Sequence, residues 1–564
     1  MSTTVSPKST NARQGLNNMQ SITSVRSRET NLFHINPNEG NTEEGLLAQI
    51  GYKQELQRTM SGLGCFGIAY SIMGLLPSIV TLMGTGLTAG PVGLVWGWFF
   101  SSLLILFGIG WPMAELASAV PSSGGMYLWT YIYAPESMRA ALSYMVGFVN
   151  SFALCGSVCS ITYGLAVQIM SCVYIAYDGN YNITTGATYG VFVGCIVLQL
   201  FCSCLTSRGI SNLQTTSIVC NNVLIVIFFI LLPVGTAKHG KFNDAKFIFG
   251  DFENLSPWSD GWAFLQYGFL PAAWTIGAFD SCVHMAEEVK NPVKNVPYGI
   301  VGSIAACGIV GTLVCIVIAA CLPADDIDSI INTDSGQPLT QMIFNVLGKK
   351  WAIAFMSLVA FCQFLMGASV MVAISRQIWA FARDDGLPLS RVIKKVNERI
   401  NVPVYATIAS GIVSIVVGLL TLIGDGQASN ALFALSVIGS YVAYSAPQIL
   451  RMTVGKDKFT PGPFYAGLIK SNILNVMGVC YMALVFVLFC WPDSTPIDKD
   501  TMNYSVLLVL GTYLIAGIYY WVYKKRDYQG PKSNLTDAEY EELVIEGVEN
   551  NHIDSIMEDA KASM

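Results

Sequence analysis

The stretch Trp274-Thr275-Ile276-Gly277-Ala278-Phe279-Asp280-Ser281-Cys282-Val283-His284 decides the fold. It lies in an apolar run, 262–284, long enough to cross a bilayer. Small residues, a carboxylate and an imidazole interrupt that run. An aspartate at the centre of a membrane helix costs about 2.5–3.5 kcal/mol on insertion scales, so Asp280 is a functional candidate. The first apolar run has a similar interruption, Ser71-Ile72-Met73-Gly74-Leu75-Leu76-Pro77-Ser78. Glycine and proline loosen the helical hydrogen-bond ladder. The two interruptions fall in the first and sixth of twelve apolar runs. That offset of five predicts two inverted five-helix repeats with a substrate site near the bilayer midplane. A second reading stays open, in which Gly74 and Gly277 only let helices approach closely.

Composition supports lipid as the solvent. Hydrophobic residues make up 53% of the 564, and charged residues 12%. Soluble domains carry roughly 25% charge. Mean hydropathy is +0.51. This excludes a soluble enzyme and a nucleic-acid binder, and a net charge of −6 offers no field to hold phosphate. The 15 cysteines scatter through apolar runs and read as small core residues. No metal pattern is present, and no cofactor is implied.

The twelve expected spans are 64–83, 92–116, 142–176, 189–205, 213–233, 262–284, 298–322, 351–375, 403–423, 431–450, 472–490 and 503–522. The sequence therefore predicts an all-α membrane protein with twelve transmembrane helices. Repeat one covers about 64–235, repeat two about 262–450, and two peripheral helices about 472–522. A polar N-terminal tail, 1–60, and a C-terminal tail, 524–564, flank the transporter domain at 61–523 and are expected to be cytosolic. With the N-terminus inside, the inner loops hold 14 basic residues and the outer loops 6. The positive-inside rule then places both termini in the cytosol. The triplet Asn182-Ile183-Thr184 falls in an expected outer loop.

Within these spans the acidic residues are Glu115 and Asp280, the histidine is His284, and no basic residue is expected. Asp280 and His284 are four apart and share one helix face, which Glu287 and Glu288 continue. That face reads as a proton path or as a polar cap on the inner end. Glu115, at the inner end of span 2, reads as a third proton-coupling candidate or as a hydrogen-bond anchor. At span 1, the N-terminus of a broken half-helix would offer N–H groups and positive dipole to a carboxylate. A sodium site would need several oxygen ligands, and Ser369 in span 8 supplies one hydroxyl.

Four motifs carry a family resemblance. They are Ile72-Met73-Gly74, the run from Ala114 to Tyr127, Phe279-Asp280 followed by Glu287-Glu288-Val289-Lys290-Asn291-Pro292, and the run from Ser375 to Pro388. In this order the chain resembles the amino acid–polyamine–organocation (APC) transporter superfamily. Closer still, it resembles the fungal γ-aminobutyrate (GABA) permeases of the amino acid/choline branch. Ile50 to Leu56, Ser71 to Pro77, Trp274 to Gly277, Asp280 to His284 and Phe355 to Ser369 support that.

The resemblance implies proton-driven uptake of GABA or a related small amino acid or amine. It implies substrate contacts at Ser71, Ile72, Met73, Gly74, Leu75, Trp274, Thr275, Ile276, Gly277 and Phe279. The backbone around Gly74 would bind the carboxylate, Trp274 to Gly277 would face the ammonium, and Phe279 would be an aromatic gate. Many relatives carry a lysine in span 5, and this chain has none in 213–233. Implied partners are the substrate, a proton and the lipid bilayer of the cell surface or vacuole. Polyamine or choline transport, or sensing without transport, stand as alternatives.

Overall fold

The computed structural model describes residues 47–533, apart from 325–326, 398, 423–426, 494 and 498–501. The expected tails fall largely outside the described residues. Residues 55–531 form one compact unit.

Among the described residues the regular structure is helical. Eleven helices are long and apolar enough to span a membrane: Gly62–Leu87, Gly90–Ala119, Arg139–Ala176, Thr185–Ser203, Arg208–His239, Pro292–Cys321, Lys349–Arg383, Val404–Leu422, Asn430–Met452, Leu468–Cys490 and Ser505–Lys524. The twelfth is the sixth in order, cut into Asp260–Thr275 and Ser281–His284 by unwound backbone. They are called spans 1 to 12 below. Start signals are local. Ser61 accepts from the Gly64 N–H at 3.1 Å to cap span 1, and proline sits in the first turn of spans 2 and 7.

Three pairs of spans match in length at an offset of five, while spans 5 and 10 differ, with 32 and 23 residues. Spans 2 and 7 each have 30 residues, spans 4 and 9 each have 19, and spans 3 and 8 have 38 and 35. Spans 1 and 6 are the broken pair. Two runs of five therefore share one plan, with spans 11 and 12 added. Span 3 packs along both span 8 and span 10. Of the most apolar window, 83% is buried for span 1 but 28% for span 12. Leu507, Leu510, Leu514 and Ile518 of span 12 are exposed, as a lipid-facing stripe must be.

One expectation is corrected. Spans 8 and 10 run past their apolar cores, so Arg376, Arg383 and Arg451 lie on span helices and are buried. Each meets a carboxylate, which is what allows a guanidinium to leave water.

Candidate functional site

Gly74 breaks span 1 as a single residue. Its φ of +42° is left-handed, and it ends Gly62–Met73 while opening Leu75–Leu87. The Gly74 N–H still donates to the Tyr70 carbonyl, and Ser78 Oγ donates to the Met73 carbonyl at 2.7 Å. The N–H groups of Leu75 and Leu76 begin the second half-helix, with no i−4 carbonyl inside it. Span 6 breaks more widely. Its first half ends at Thr275, Ala278 takes a φ of +53°, and a short helix resumes at Ser281.

A narrow cavity of about 30 Å³ lies between these breaks. Ile72, Trp274, Thr275, Gly277 and Ala278 line it from spans 1 and 6. Leu154, Ser157 and Ile161 come from span 3, Met366 from span 8, and Ser436, Val437, Ser440, Tyr441 and Tyr444 from span 10. No lining side chain is charged. Trp274 donates its indole N–H to Ser160 Oγ at 3.2 Å. The other expected substrate residues stand behind the wall. Ser71 turns to spans 5 and 8, Phe279 packs on Tyr444 at 5.6 Å between ring centroids, and Met73, Gly74, Leu75 and Ile276 are not in the lining.

Asp280 and His284 are fully buried and adjoin each other, Oδ2 to Nε2 at 3.2 Å. His284 Nδ1 lies 3.2 Å from the Ser123 carbonyl. A carbonyl only accepts, so Nδ1 carries a hydrogen. The contact between Nε2 and Oδ2 then joins a carboxyl and an imidazole in one buried dyad. Asp280 Oδ1 is buried with no hydrogen-bond partner among the described residues, and Tyr444 lies beside the same carboxylate.

A second polar cluster sits behind span 1. Ser71 Oγ meets Ser369 Oγ at 3.2 Å and donates a short bond to Ser217 Oγ of span 5. Asn221 Nδ2 donates to the Ser217 carbonyl, and its Oδ1 is buried without a partner among the described residues. Three hydroxyls thus converge where the sequence showed one, and the Asn221 amide N–H donates to Ser217 Oγ at 3.3 Å.

The face on which span 1 begins is closed by ion pairs. Arg383 grips Glu287 with two nitrogens, at 3.1 and 3.2 Å, and Arg376 Nε holds Glu288 at 2.8 Å. Glu115 Oε2 binds Arg451 at 2.6 Å and accepts from Ser471, and its Oε1 accepts from the Ala466 N–H. The expected continuation from His284 to Glu287 and Glu288 is therefore an arginine-clamped segment. Glu115 lies at the junction of spans 2, 10 and 11 and is not in the cavity lining.

The sequence profile of the amino acid permease family matches residues 60–512. The chain belongs to the amino acid permease family. A GABA-specific permease of Saccharomyces cerevisiae is 50% identical over 548 residues, covering 96% of this permease and 94% of the yeast protein. An uncharacterized amino-acid permease of Schizosaccharomyces pombe is 32% identical, covering 94% and 96%. A putative polyamine transporter of Candida albicans is 27% identical, covering 92% and 93%. The permease is a transporter, and the APC resemblance stands.

Sequence reasoning missed the contribution of span 10 to the permease's cavity. A signal was there: Ser436, Ser440 and Tyr444 recur every four residues on an otherwise apolar helix, one polar stripe on one face. It also missed Ser217 and Asn221, which share the same spacing in span 5.

Proposed function

We propose that this permease imports GABA or a related small amino acid, coupled to protons, by alternating access. The neutral cavity between two apposed helix ends carries the reading. The second half of span 1 starts at Leu75, with only Met73 and Gly74 between it and Ile72 of the lining, and carries positive dipole at that end. The end of the first half of span 6 presents negative dipole, and there the Ala272, Ala273 and Trp274 carbonyls accept from Ile276 N–H, Tyr441 O–H and Gly277 N–H. A zwitterion has a carboxylate for the first and an ammonium for the second, and needs no charged side chain. A polyamine would need several carboxylates, and none lines the cavity.

Coupling would rest on the Asp280–His284 dyad. It takes one proton from the outer side and releases it inward once the ion-paired face opens. The serine cluster supports a second reading, in which a monovalent cation sits among Ser71, Ser217, Ser369 and Asn221. The basic-residue bias supports cytosolic termini, with the ion-paired face inward, in the plasma or the vacuolar membrane.

The test is uptake of labelled GABA in a transport-null host at two external pH values, with sodium present or replaced by N-methylglucamine. Accumulation should rise at acidic pH, ignore sodium and collapse with a protonophore. Uptake of putrescine but not GABA would overturn the substrate. Loss of uptake without sodium would transfer the coupling to the serine cluster.

A further inference from the structure

A second cavity, of about 300 Å³, lies on the face opposite the ion pairs. Its walls come from the end of span 1 (Thr85, Thr88), the start of span 6 (Tyr267), the start of span 10 (Asn430, Phe433) and the segment after span 11 (Asp493). Such a volume suits a small molecule. Phe433 of this cavity meets Trp274 of the inner one edge to face, with ring centroids 5.0 Å apart. One aromatic contact is therefore shared by the two chambers.

Asp493 brings a negative charge to this chamber. Its Oδ1 accepts from Gln266 Nε2 at 3.3 Å and its Oδ2 from Asn430 Nδ2 at 3.0 Å. Both donors are neutral. Among the described residues no lysine or arginine pairs with it. Burial pushes its carboxyl above the ordinary range, with the Asn430 and Gln266 bonds opposing that shift. Tyr267 and Phe433 add aromatic faces, which attract a cation. A half-buried carboxylate, satisfied only by neutral donors and beside aromatic rings, matches a primary ammonium.

We propose that this outer cavity is a second binding site, in which Asp493 holds the ammonium of an amine before it passes the Trp274–Phe433 contact. The inference rests on the reading of the opposite face as the outer one and of the substrate as an amine. It adds a station that the inner cavity does not need for binding.

The test uses n-butylammonium chloride, which has the amine and lacks the carboxylate that the span 1 break would hold. Binding to the purified full-length protein is followed by titration calorimetry. Asp493→Asn should weaken binding about tenfold. Gly84→Leu fills the chamber from span 1. A Cβ there meets only Pro338 Cγ, at 3.6 Å, so the helix accepts it, and binding should fall similarly. This second variant keeps the question open to test if Asp493→Asn folds poorly. Butyrate, which has no amine, should show no dependence on Asp493. Equal butylammonium affinity in the wild type and both variants would overturn the proposal. Failure of the GABA reading shows separately, as absent GABA uptake by a wild type that still binds butylammonium in this pattern.

Discussion

Gly74→Val tests whether the break in span 1 is the binding device. Two costs can be worked from the structure. Gly74 has a φ of +42°, and a left-handed backbone costs an L-residue about 1–2 kcal/mol. A Cβ at this position would meet Met366 at 2.7 Å from Sδ and 3.1 Å from Cγ. Valine adds two methyl groups in the same space, and such overpacking costs about 1–3 kcal/mol. If both costs fall on the substrate-competent conformation, its population drops roughly thirtyfold to a few thousandfold, at 1.4 kcal/mol per decade. Uptake should be lost while surface abundance stays close to wild type. The assay is initial uptake of labelled GABA, normalised to surface protein. Met366→Ala, alone and in the valine background, divides the effect, because truncating Met366 removes the collision and leaves the backbone cost. Wild-type uptake by Gly74→Val at normal abundance would refute the reasoning and leave Gly74 a packing residue.

Three further outcomes follow from the same geometry. Asp280→Asn keeps size but removes the acid of the proposed coupling dyad, so uphill accumulation and its pH dependence should vanish while counterflow exchange persists; accumulation at the wild-type level, still sensitive to protonophore, would exclude Asp280 as the coupling group. Arg451→Met strands Glu115 in a buried site, at about 3–5 kcal/mol, so folded protein should fall sharply; Glu115→Gln together with Arg451→Met should recover more of it than either alone, as read by size-exclusion profiles in detergent. At the outer cavity, lowering pH protonates Asp493 and cancels its attraction for ammonium. Gln266 and Asn430 are its neutral neighbours and Tyr267 donates to its carbonyl. Because burial raises the carboxyl, butylammonium binding should begin to weaken nearer neutrality than an ordinary carboxylate would allow, and Asp493→Asn should flatten that profile.

The fold was legible because membrane solvent imposes long apolar runs, and because its exceptions are costly enough to mark sites. Both breaks could be read from single residues, Gly74 and the Gly277–Asp280 stretch. The contact between Asp280 and His284 follows from a spacing of four. The pairing of Glu115 with Arg451 could not be read, since 336 positions separate them and only tertiary packing brings them together. The same holds for Glu287 with Arg383. The spacing of Ser436, Ser440 and Tyr444 was a signal that did not decide by itself. Hydroxyl groups in membrane helices commonly bond to the carbonyl one turn back, as Ser369 also does to Leu365, so their presence alone does not distinguish a cavity wall from packing.

The two faces of the inner cavity are closed by unlike means, and the difference bears on the transport cycle. Toward the second cavity stands the edge-to-face contact of Trp274 and Phe433, a kind of interaction worth about 0.5–1.5 kcal/mol beyond area burial. Toward the other side stand Arg376–Glu288 and Arg383–Glu287, both joining span 8 to the segment after span 6. Separating either pair in a dry interior leaves a buried charge, at about 3–5 kcal/mol. Opening toward that side must therefore admit water to the four charged groups as they part, because hydration alone offsets the lost pairing. His284 stands just before this clamp, with Nδ1 on Ser123, whose N–H binds Glu287. Water that hydrates Glu287 also reaches the hydrogen-bonded chain leading to the dyad. Under the proposed coupling, release of a proton from Asp280 and His284 and opening of the ion-paired face would be one event.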